Sequence, residues 1–349
     1  MREILNHEEL KGKIQPACLG PLLLQEHLDR LEDQYLSHKQ DQVKLWLNRA
    51  LRKEEESWLS GRETERIDHF CFSPLAIDVI QVLDSSLTEC SCVLGDQRKA
   101  QRLTAHLENF LSSYRKCMEA FVKGKHGNGL AVIKAQLVCE QQLRDYITGE
   151  TGSLSEPQRR GCLDTLAALK DCGYRCLTCP IHLEMKVCFS HLLTPGWTDG
   201  SLPVVDSLLS FIVQELTDLK PTCRQWVLTE LQQDVCVQYV RRMMKMMKMK
   251  KTRGQQDGAE RTRTDALKIC AFFREWGVSR DPDRVQQEVL RLTRSAPALS
   301  DAHLSALLCL CSGQSDASVD ETRLLAVSTN QSSAFFSGVK VKWIHKHRK

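Results

Sequence analysis

The sequence predicts an all-α protein, and three observations support this prediction. Only 18 glycines and 10 prolines occur in 349 residues, so few positions interrupt a helix. Leu, Gln, Glu, Lys and Arg, which favour helices, are abundant throughout the chain. No stretch shows the sustained alternation of apolar and polar residues that a half-buried sheet requires. The length allows two or three helical modules, each with its own core.

The first predicted helix carries a heptad-like run of apolar residues and ends at Gly61. Residues of this spacing lie on one face of a helix, which must be covered. The short preceding sequence offers little cover, so residues 1–64 are interpreted as the end of a preceding helical bundle. The run consists of Leu36, Val43, Leu47, Ala50 and Trp58.

Residues 65–220 are predicted to form a middle helical bundle. Ser73 and Pro74 are a typical helix start signal for its first helix. Loops that contain glycine or proline separate the helices, and the fourth helix is expected to be interrupted near Pro180. The predicted helices cover residues 72–94, 98–122, 130–147, 161–193 and 204–219.

Residues 221–349 are predicted to form a C-terminal bundle with a basic tail. It begins with a long amphipathic helix over 221–251, whose start is marked by Pro221 and Thr222. The apolar face of this helix contains Leu228, Leu231, Val235, Tyr239, Met246 and Met249. A polar loop over 252–262 follows. Further helices are predicted over 264–276, 282–294, 300–311 and 319–327, and the tail is polar, then basic.

The five methionines near the end of this helix, at 243, 244, 246, 247 and 249, allow two interpretations. They can belong to the core, or they can form an adaptable contact surface for a partner. Lysines alternate with them, so both faces cannot be buried. The sequence leaves both interpretations open.

The charge is distributed unevenly. The chain has 48 basic and 44 acidic residues, a net charge of +4. Residues 241–263 contribute +7 (nine basic minus two acidic) and 337–349 contribute +5, so the remainder is −8 (4 − 12). The chain is therefore a mildly acidic body with two basic patches.

These patches supply a candidate basic face for a protein partner or for anionic phospholipid, and the alternative is an ordinary solvated surface. Nucleic acid is not expected, because no recognised motif is present and aromatic residues are scarce near the patches. The candidate residues are Arg241, Arg242, Lys245, Lys248, Lys250, Lys251, Lys340, Lys342, Lys346, Arg348 and Lys349.

The chain is expected to be cytoplasmic, with any membrane contact peripheral. Residues 1–10 lack the apolar core of a signal peptide, and no apolar run reaches the length of a membrane span. The 16 cysteines are then expected to be free thiols in a reducing compartment.

No motif predicts catalysis, a cofactor or a small-molecule substrate. The glycine loop over 124–129 lacks the spacing of a phosphate-binding loop and is interpreted as an interhelical turn. No nucleophile elbow, HExxH motif or papain-like cysteine context is present. One cysteine cluster could bind zinc with His182 or His191, but structural thiols are the favoured interpretation. The cluster contains Cys172, Cys176, Cys179 and Cys188.

Five segments together resemble the Sec-six family, which includes the third exocyst component and its M-Sec-like relatives. The strongest is the region 226–251, which contains W-V-L-T-E-L-x-x-x-V-x-x-x-Y-V-R-R-M-M-K. The resemblance covers nearly the whole chain but only the C-terminal half of a typical family member. The other segments are 46–58 (WLNRALRKEEESW), 73–87 (SPLAIDVIQVLDSSL), 193–199 (LTPGWTD) and 300–325.

This resemblance implies an elongated rod of stacked antiparallel helical bundles, as in tethering complexes. It also implies a non-enzymatic tethering or adaptor role in exocytosis, with exocyst subunits, SNARE proteins or a Ral-type small GTPase as partners at the plasma membrane. The methionine-rich MMKMMKMKK segment and the many cysteines are more similar to the M-Sec-like branch. The alternative is therefore a peripheral protein that binds anionic lipid and remodels membranes independently of the exocyst.

Overall fold

A computed structural model describes residues 24–124, 126–149, 154–249, 255–278, 287, 291 and 301–312. Its elements are α1 (Gln25–Leu59), β1 (Arg66–Ile67), β2 (Phe70–Cys71), α2 (Leu75–Leu94), α3 (Gln97–Ala100), a 3₁₀ turn (Gln101–Thr104), α4 (Ala105–Lys123), α5 (Gly129–Thr148), α6 (Glu156–Ser190), α7 (Pro195–Thr198), α8 (Val204–Leu216), α9 (Pro221–Met249), α10 (Gln255–Glu275) and α11 (Asp301–Ser312). The strands β1 and β2 pair with each other. The predicted all-α fold class is confirmed.

The described residues group into two compact units. The first contains the residues up to Ile67 together with Cys71–Gly173. The second contains Asp68–Phe70 and the residues from Tyr174 onward. The three-part division into 1–64, 65–220 and 221–349 stays a prediction.

The core of the first unit is formed by α1, α2, α4 and α5. Leu36, Val43, Leu47 and Trp58 of α1 are all buried. Helices α2 and α4 both pack on α1. The heptad-like face of α1 is therefore covered by helices that follow it in the chain, and apolar burial of this kind is the main stabilising term of such a core.

The core of the second unit contains the apolar face of α9 and the closely packed pair α10 and α11. The predicted face residues Leu228, Leu231, Val235 and Tyr239 are all buried. Met243 and Met244 are buried as well, which places these two methionines in the core.

Two predictions about helix boundaries were wrong. Helix α6 continues through Pro180, although proline has no amide hydrogen to donate within the helix. Leu177, Ile181 and Met185 on one face of the helix are buried, and their packing stabilises this turn. The predicted polar loop over 252–262 is helical from Gln255 onward.

Gly258 lies in the first turns of α10, where His303 and Leu193 approach the helix closely. A Cβ atom at Gly258 would lie 3.3 Å from His303 Nε2 and 3.4 Å from Leu193 Cδ2. Ala259 and Thr262 are buried beside it. Tertiary burial thus outweighs the low helix propensity of glycine. The predicted helices over 282–294 and 319–327 and the basic tail lie outside the described residues, apart from positions 287 and 291.

Candidate partner-binding site

A groove of about 260 Å³ lies in the second unit, between the C-terminal half of α6 and α9. Met185 and Phe189 are buried beneath it. Four cationic side chains line it, and no carboxylate is among the described residues of its wall. The lining residues are His182, Met185, Lys186 and Phe189 from α6, and Gln238, Arg241, Arg242 and Lys245 from α9. We call this feature the basic groove.

The two helices lie side by side and run in the same direction. The rings of Tyr174 and Trp226 are 5.6 Å apart, and His182 Nε2 lies 3.0 Å from Asp234 Oδ2. Further along, Arg242 Nε donates a hydrogen bond of 3.1 Å to the carbonyl oxygen of Phe189. Each contact joins residues 52 or 53 positions apart. This constant offset aligns the groove-lining residues of both helices.

Apolar packing fixes the helices at the groove. The rings of Phe189 and Tyr239 are 5.4 Å apart in an edge-to-face arrangement, which is favourable for two aromatic side chains. Met243 is fully buried one turn further along α9. The cations therefore project from a rigid base, which lowers the entropy cost of binding.

Two cations of the groove have no charged partner within the described part of the chain. Neither Lys186 nor Lys245 has an ion pair there, and both side chains are exposed. Asp234, which borders the groove at His182, accepts a hydrogen bond from Tyr174 and pairs with His182. The groove can therefore attract an anionic group by unopposed charge.

At one end of the groove, His182 is held by two partners. Its Nδ1 lies 2.8 Å from the carbonyl oxygen of Thr178, and its Nε2 faces Asp234. The carbonyl oxygen can only accept a hydrogen bond, so both ring nitrogens are satisfied best in the protonated form. The hydrogen bond with Asp234 raises the pKa of His182 above its ordinary value of 6.5, although burial opposes this.

We expect Asp234→Asn to lower the pKa of His182, because it removes the negative charge that favours the imidazolium. The folded-state pKa is raised, so the stability from this pair is fully present below pH 6.5 and is lost as the pH rises through the raised value. Titration of the imidazole proton resonances measures the shift.

His106 is the internal control for this titration. Burial lowers its pKa, so His106 should titrate at a lower pH than His182, and its pKa should be the same in wild type and Asp234→Asn. The pairing has no electrostatic importance if the pKa of His182 is the same in wild type and Asp234→Asn.

The structure describes only part of the predicted basic face. Arg241, Arg242 and Lys245 line the groove together. Lys248 lies in α9, but its side chain is outside the described residues. The remaining members also lie outside them: Lys250, Lys251, Lys340, Lys342, Lys346, Arg348 and Lys349.

Sequence reasoning missed the contribution of α6 to this site. Lys186 and His182 belong to a helix that precedes α9 by a loop, the short α7 and all of α8. Their only sequence signal is a polar residue every three or four positions on a helix, which is also the pattern of a solvated face.

The cysteine cluster is not assembled as a metal site in the part of the chain that is described. No group of three or more His, Cys, Asp or Glu side chains is positioned there to hold a metal ion. The Cys188 thiol instead donates a hydrogen bond to Glu184 Oε1 over 3.3 Å. Among the same residues, no helix is long and apolar enough to cross a membrane.

The described residues form an all-α protein built of helical bundles, with a basic groove between two of its helices. The chain belongs to the Sec6 family: the family model for exocyst complex component Sec6 matches residues 2–299. This confirms the resemblance noted in the sequence.

Curated relatives support this assignment. Human tumor necrosis factor alpha-induced protein 2 is 25% identical over 97% of this chain and 56% of its own length. The mouse exocyst complex component 3-like protein is 24% identical over 88% of this chain and 46% of its own length. The chain thus spans about half the length of these relatives.

Two solved structures share the fold. The crystal structure of M-Sec has a TM-score of 0.65 at 20% identity, and the match covers 93% of this chain and 60% of that chain. The C-terminal domain of the exocyst subunit Sec6p has a TM-score of 0.64 at 10% identity, and the match covers 95% of this chain and all of that domain.

Proposed function

We propose that this chain is a non-enzymatic, exocyst-related tethering or adaptor protein that acts in exocytosis, in the cytoplasm at the plasma membrane. Its partners are other exocyst subunits, SNARE proteins or a Ral-type small GTPase. Membership in the Sec6 family supports the tethering role, and the helical fold supports a structural protein rather than an enzyme.

The observation that carries the proposal of a partner-binding role is the basic groove. Four cations project from a rigid pair of helices, and no carboxylate is found on the described wall. Charged surfaces such as this groove steer the association of partners and contribute to binding specificity. The binding should therefore weaken as salt concentration rises, because mobile ions screen exposed charges.

The same cations favour one second function, the binding of anionic phospholipid. Each Lys or Arg near an anionic bilayer contributes about 1 kcal/mol. In this alternative the chain acts peripherally in membrane protrusion or remodelling, as an M-Sec-like protein that is independent of the exocyst.

We expect the double substitution Lys245→Glu and Lys248→Glu to reduce the recovery of protein partners about tenfold, because it reverses the charge along one side of α9. The measurement is a pull-down from cytosol with the tagged full chain at low and high salt, followed by quantitative mass spectrometry. Recovery of exocyst subunits supports the tether, whereas a GTP-dependent small GTPase without them supports the M-Sec-like branch.

Lys116→Glu combined with Lys123→Glu is the matched control. Both residues are exposed on α4 in the first unit, so the net charge changes equally while the groove stays intact. The proposed role of the basic face is wrong if both double variants retain all partners. The lipid alternative holds instead if the wild-type chain captures no partner but floats with anionic liposomes at low salt.

A further inference from the structure

An exposed apolar stripe borders the basic groove on α6. Leu183 and Val187 are each 56% exposed, and Cys179 one turn before them is also exposed. Residues four positions apart share one face of a helix, so the three form a continuous stripe about 12 Å long. We call it the α6 stripe.

The stripe and the groove are adjacent around the helix. Leu183 follows the groove residue His182, and Val187 follows Lys186, so each stripe residue lies about 100° around the helix axis from a groove residue. An occupant of the groove that is wider than one side chain can therefore also reach the stripe. The surface combines cations in a groove with an apolar shoulder.

From this arrangement we infer that the groove and the α6 stripe together accept an amphipathic helix of a partner, with Asp and Glu on one face and large apolar residues beside them. The inference rests on the proposed adaptor function and specifies its partner. Two turns of a helix span about 11 Å, which matches the length of the stripe. Apolar residues at spacings of three and four would cover Leu183 and Val187, as in other helix-in-groove complexes.

Charge complementarity selects an acidic helix as the occupant. Lys186 and Lys245 project from opposite walls, so carboxylates along one helix face can reach both. Asp234 is held by His182 and Tyr174, and neither Asp234 nor Glu184 lines the groove. A basic or neutral helix would leave Lys186 and Lys245 desolvated without a partner, which is unfavourable.

The shape argues against a bilayer as the occupant. A concave groove between two helices cannot follow a flat layer of headgroups, and the stripe offers only two large apolar side chains for insertion. Stable attachment of a helix to a bilayer uses a much larger buried apolar face.

The test uses the full chain and fluorescently labelled peptides of about 18 residues, long enough for five helical turns. The first peptide has leucines at helical spacing and glutamates on the adjacent face. The second has the same composition in scrambled order, and the third has lysine in place of glutamate. Fluorescence anisotropy measures the dissociation constants, and vesicles containing an anionic phospholipid are measured in parallel.

We expect micromolar binding of the first peptide and at least about tenfold weaker binding of the other two. Lys186→Glu combined with Lys245→Glu, and separately Leu183→Gln combined with Val187→Gln, should each weaken binding of the first peptide about tenfold. The controls are Lys116→Glu with Lys123→Glu, and Leu45→Gln, a residue that is 61% exposed on α1. All of these positions are exposed, so circular dichroism should show unchanged folding.

Three results would overturn the inference. Equal binding of the ordered and scrambled peptides would show a plain anion-binding surface. Absence of binding of every peptide would show that the groove takes no helix. Binding of vesicles alone, lost in the Lys186 and Lys245 variant, would assign the surface to lipid.

Failure of the inference and failure of the adaptor function remain distinguishable. If the pull-down recovers exocyst subunits but no peptide binds, the function stands and the partner chemistry is wrong. If the ordered peptide binds as expected but no exocyst subunit, SNARE protein or small GTPase is recovered, the groove is correct and the adaptor function fails.

Discussion

Replacing Trp197 by alanine is expected to destabilise the second unit by about 3–5 kcal/mol, as for other fully buried large side chains. Trp197 is fully buried in the short helix α7. Its Nε1 donates a 2.8 Å hydrogen bond to Asp265 Oδ2, and Tyr239 donates to the same oxygen over 3.1 Å. The substitution therefore creates a cavity and removes one of two donors to a buried carboxylate.

The pKa of Asp265 depends on its burial and on both hydrogen bonds. Burial raises the pKa of this carboxyl, while the hydrogen bonds from Trp197 and Tyr239 oppose the rise. Without Trp197 the ionised carboxylate is less well compensated, so its pKa should rise further and the charged form should destabilise the fold at neutral pH.

Urea denaturation, monitored by far-ultraviolet circular dichroism, measures the loss in the free energy of unfolding. Trp197→Phe retains most of the ring volume but loses the hydrogen-bond donor. It should therefore reduce the free energy of unfolding by less, about 1–3 kcal/mol. Trp46→Ala is the matched control, since Trp46 is 41% exposed on α1 and should lose less than about 1 kcal/mol. Similar losses in Trp197→Ala and Trp46→Ala would contradict the assigned role of Trp197.

The second large loss of stability is expected on substitution of Glu54, in the first unit. Its Oε1 accepts hydrogen bonds from Trp58 Nε1 (2.9 Å), Ser73 Oγ (2.7 Å) and Gln136 Nε2 (2.8 Å). All three donor residues are buried. Gln136 in turn accepts a hydrogen bond from the buried Tyr114. One carboxylate oxygen therefore connects α1 to the start of α2 and to α5.

Glu54→Ala should reduce the free energy of unfolding by about 2–3 kcal/mol, because it leaves buried donors without acceptors. Leaving a single buried donor without an acceptor costs about 1–3 kcal/mol. The total stays below the sum for three donors, since a cavity of about 440 Å³ borders Glu54 and admits water. Glu54→Gln keeps an acceptor oxygen at this place and should lose less.

Glu56→Ala is the control for this network, because Glu56 is exposed on the same helix two residues away. Thermal and urea denaturation of the three variants and the wild type measure the differences. If Glu54→Ala and Glu56→Ala are equally stable, the network does not stabilise the unit.

The positions of the main helices could be predicted from the sequence because they depend on local patterns. The spacing of Leu228, Leu231 and Val235 and the proline at position 221 are properties of one segment, and α9 begins at Pro221 as predicted. The arginines at 241 and 242 were likewise recognisable as a basic face, because charge is visible in the residue types.

Two local patterns gave wrong helix boundaries, because packing against residues distant in the sequence outweighed the local preference. Proline at position 180 normally interrupts a helix, yet buried neighbours keep α6 continuous. Glycine at position 258 favours a loop, yet this residue lies in α10, where a Cβ atom would be in tight contact with the side chains of His303 and Leu193.

The sequence by itself determined the all-α class, the family and the basic character of α9, since composition, periodicity and residue order carry these directly. Only the tertiary structure decided that Lys186 faces Lys245 across a groove, that Glu54 joins three elements, and that Trp197 and Tyr239 share one oxygen of Asp265. These side chains are 19 to 82 residues apart in the chain, and contacts at such distances depend on how whole helices pack rather than on any local pattern.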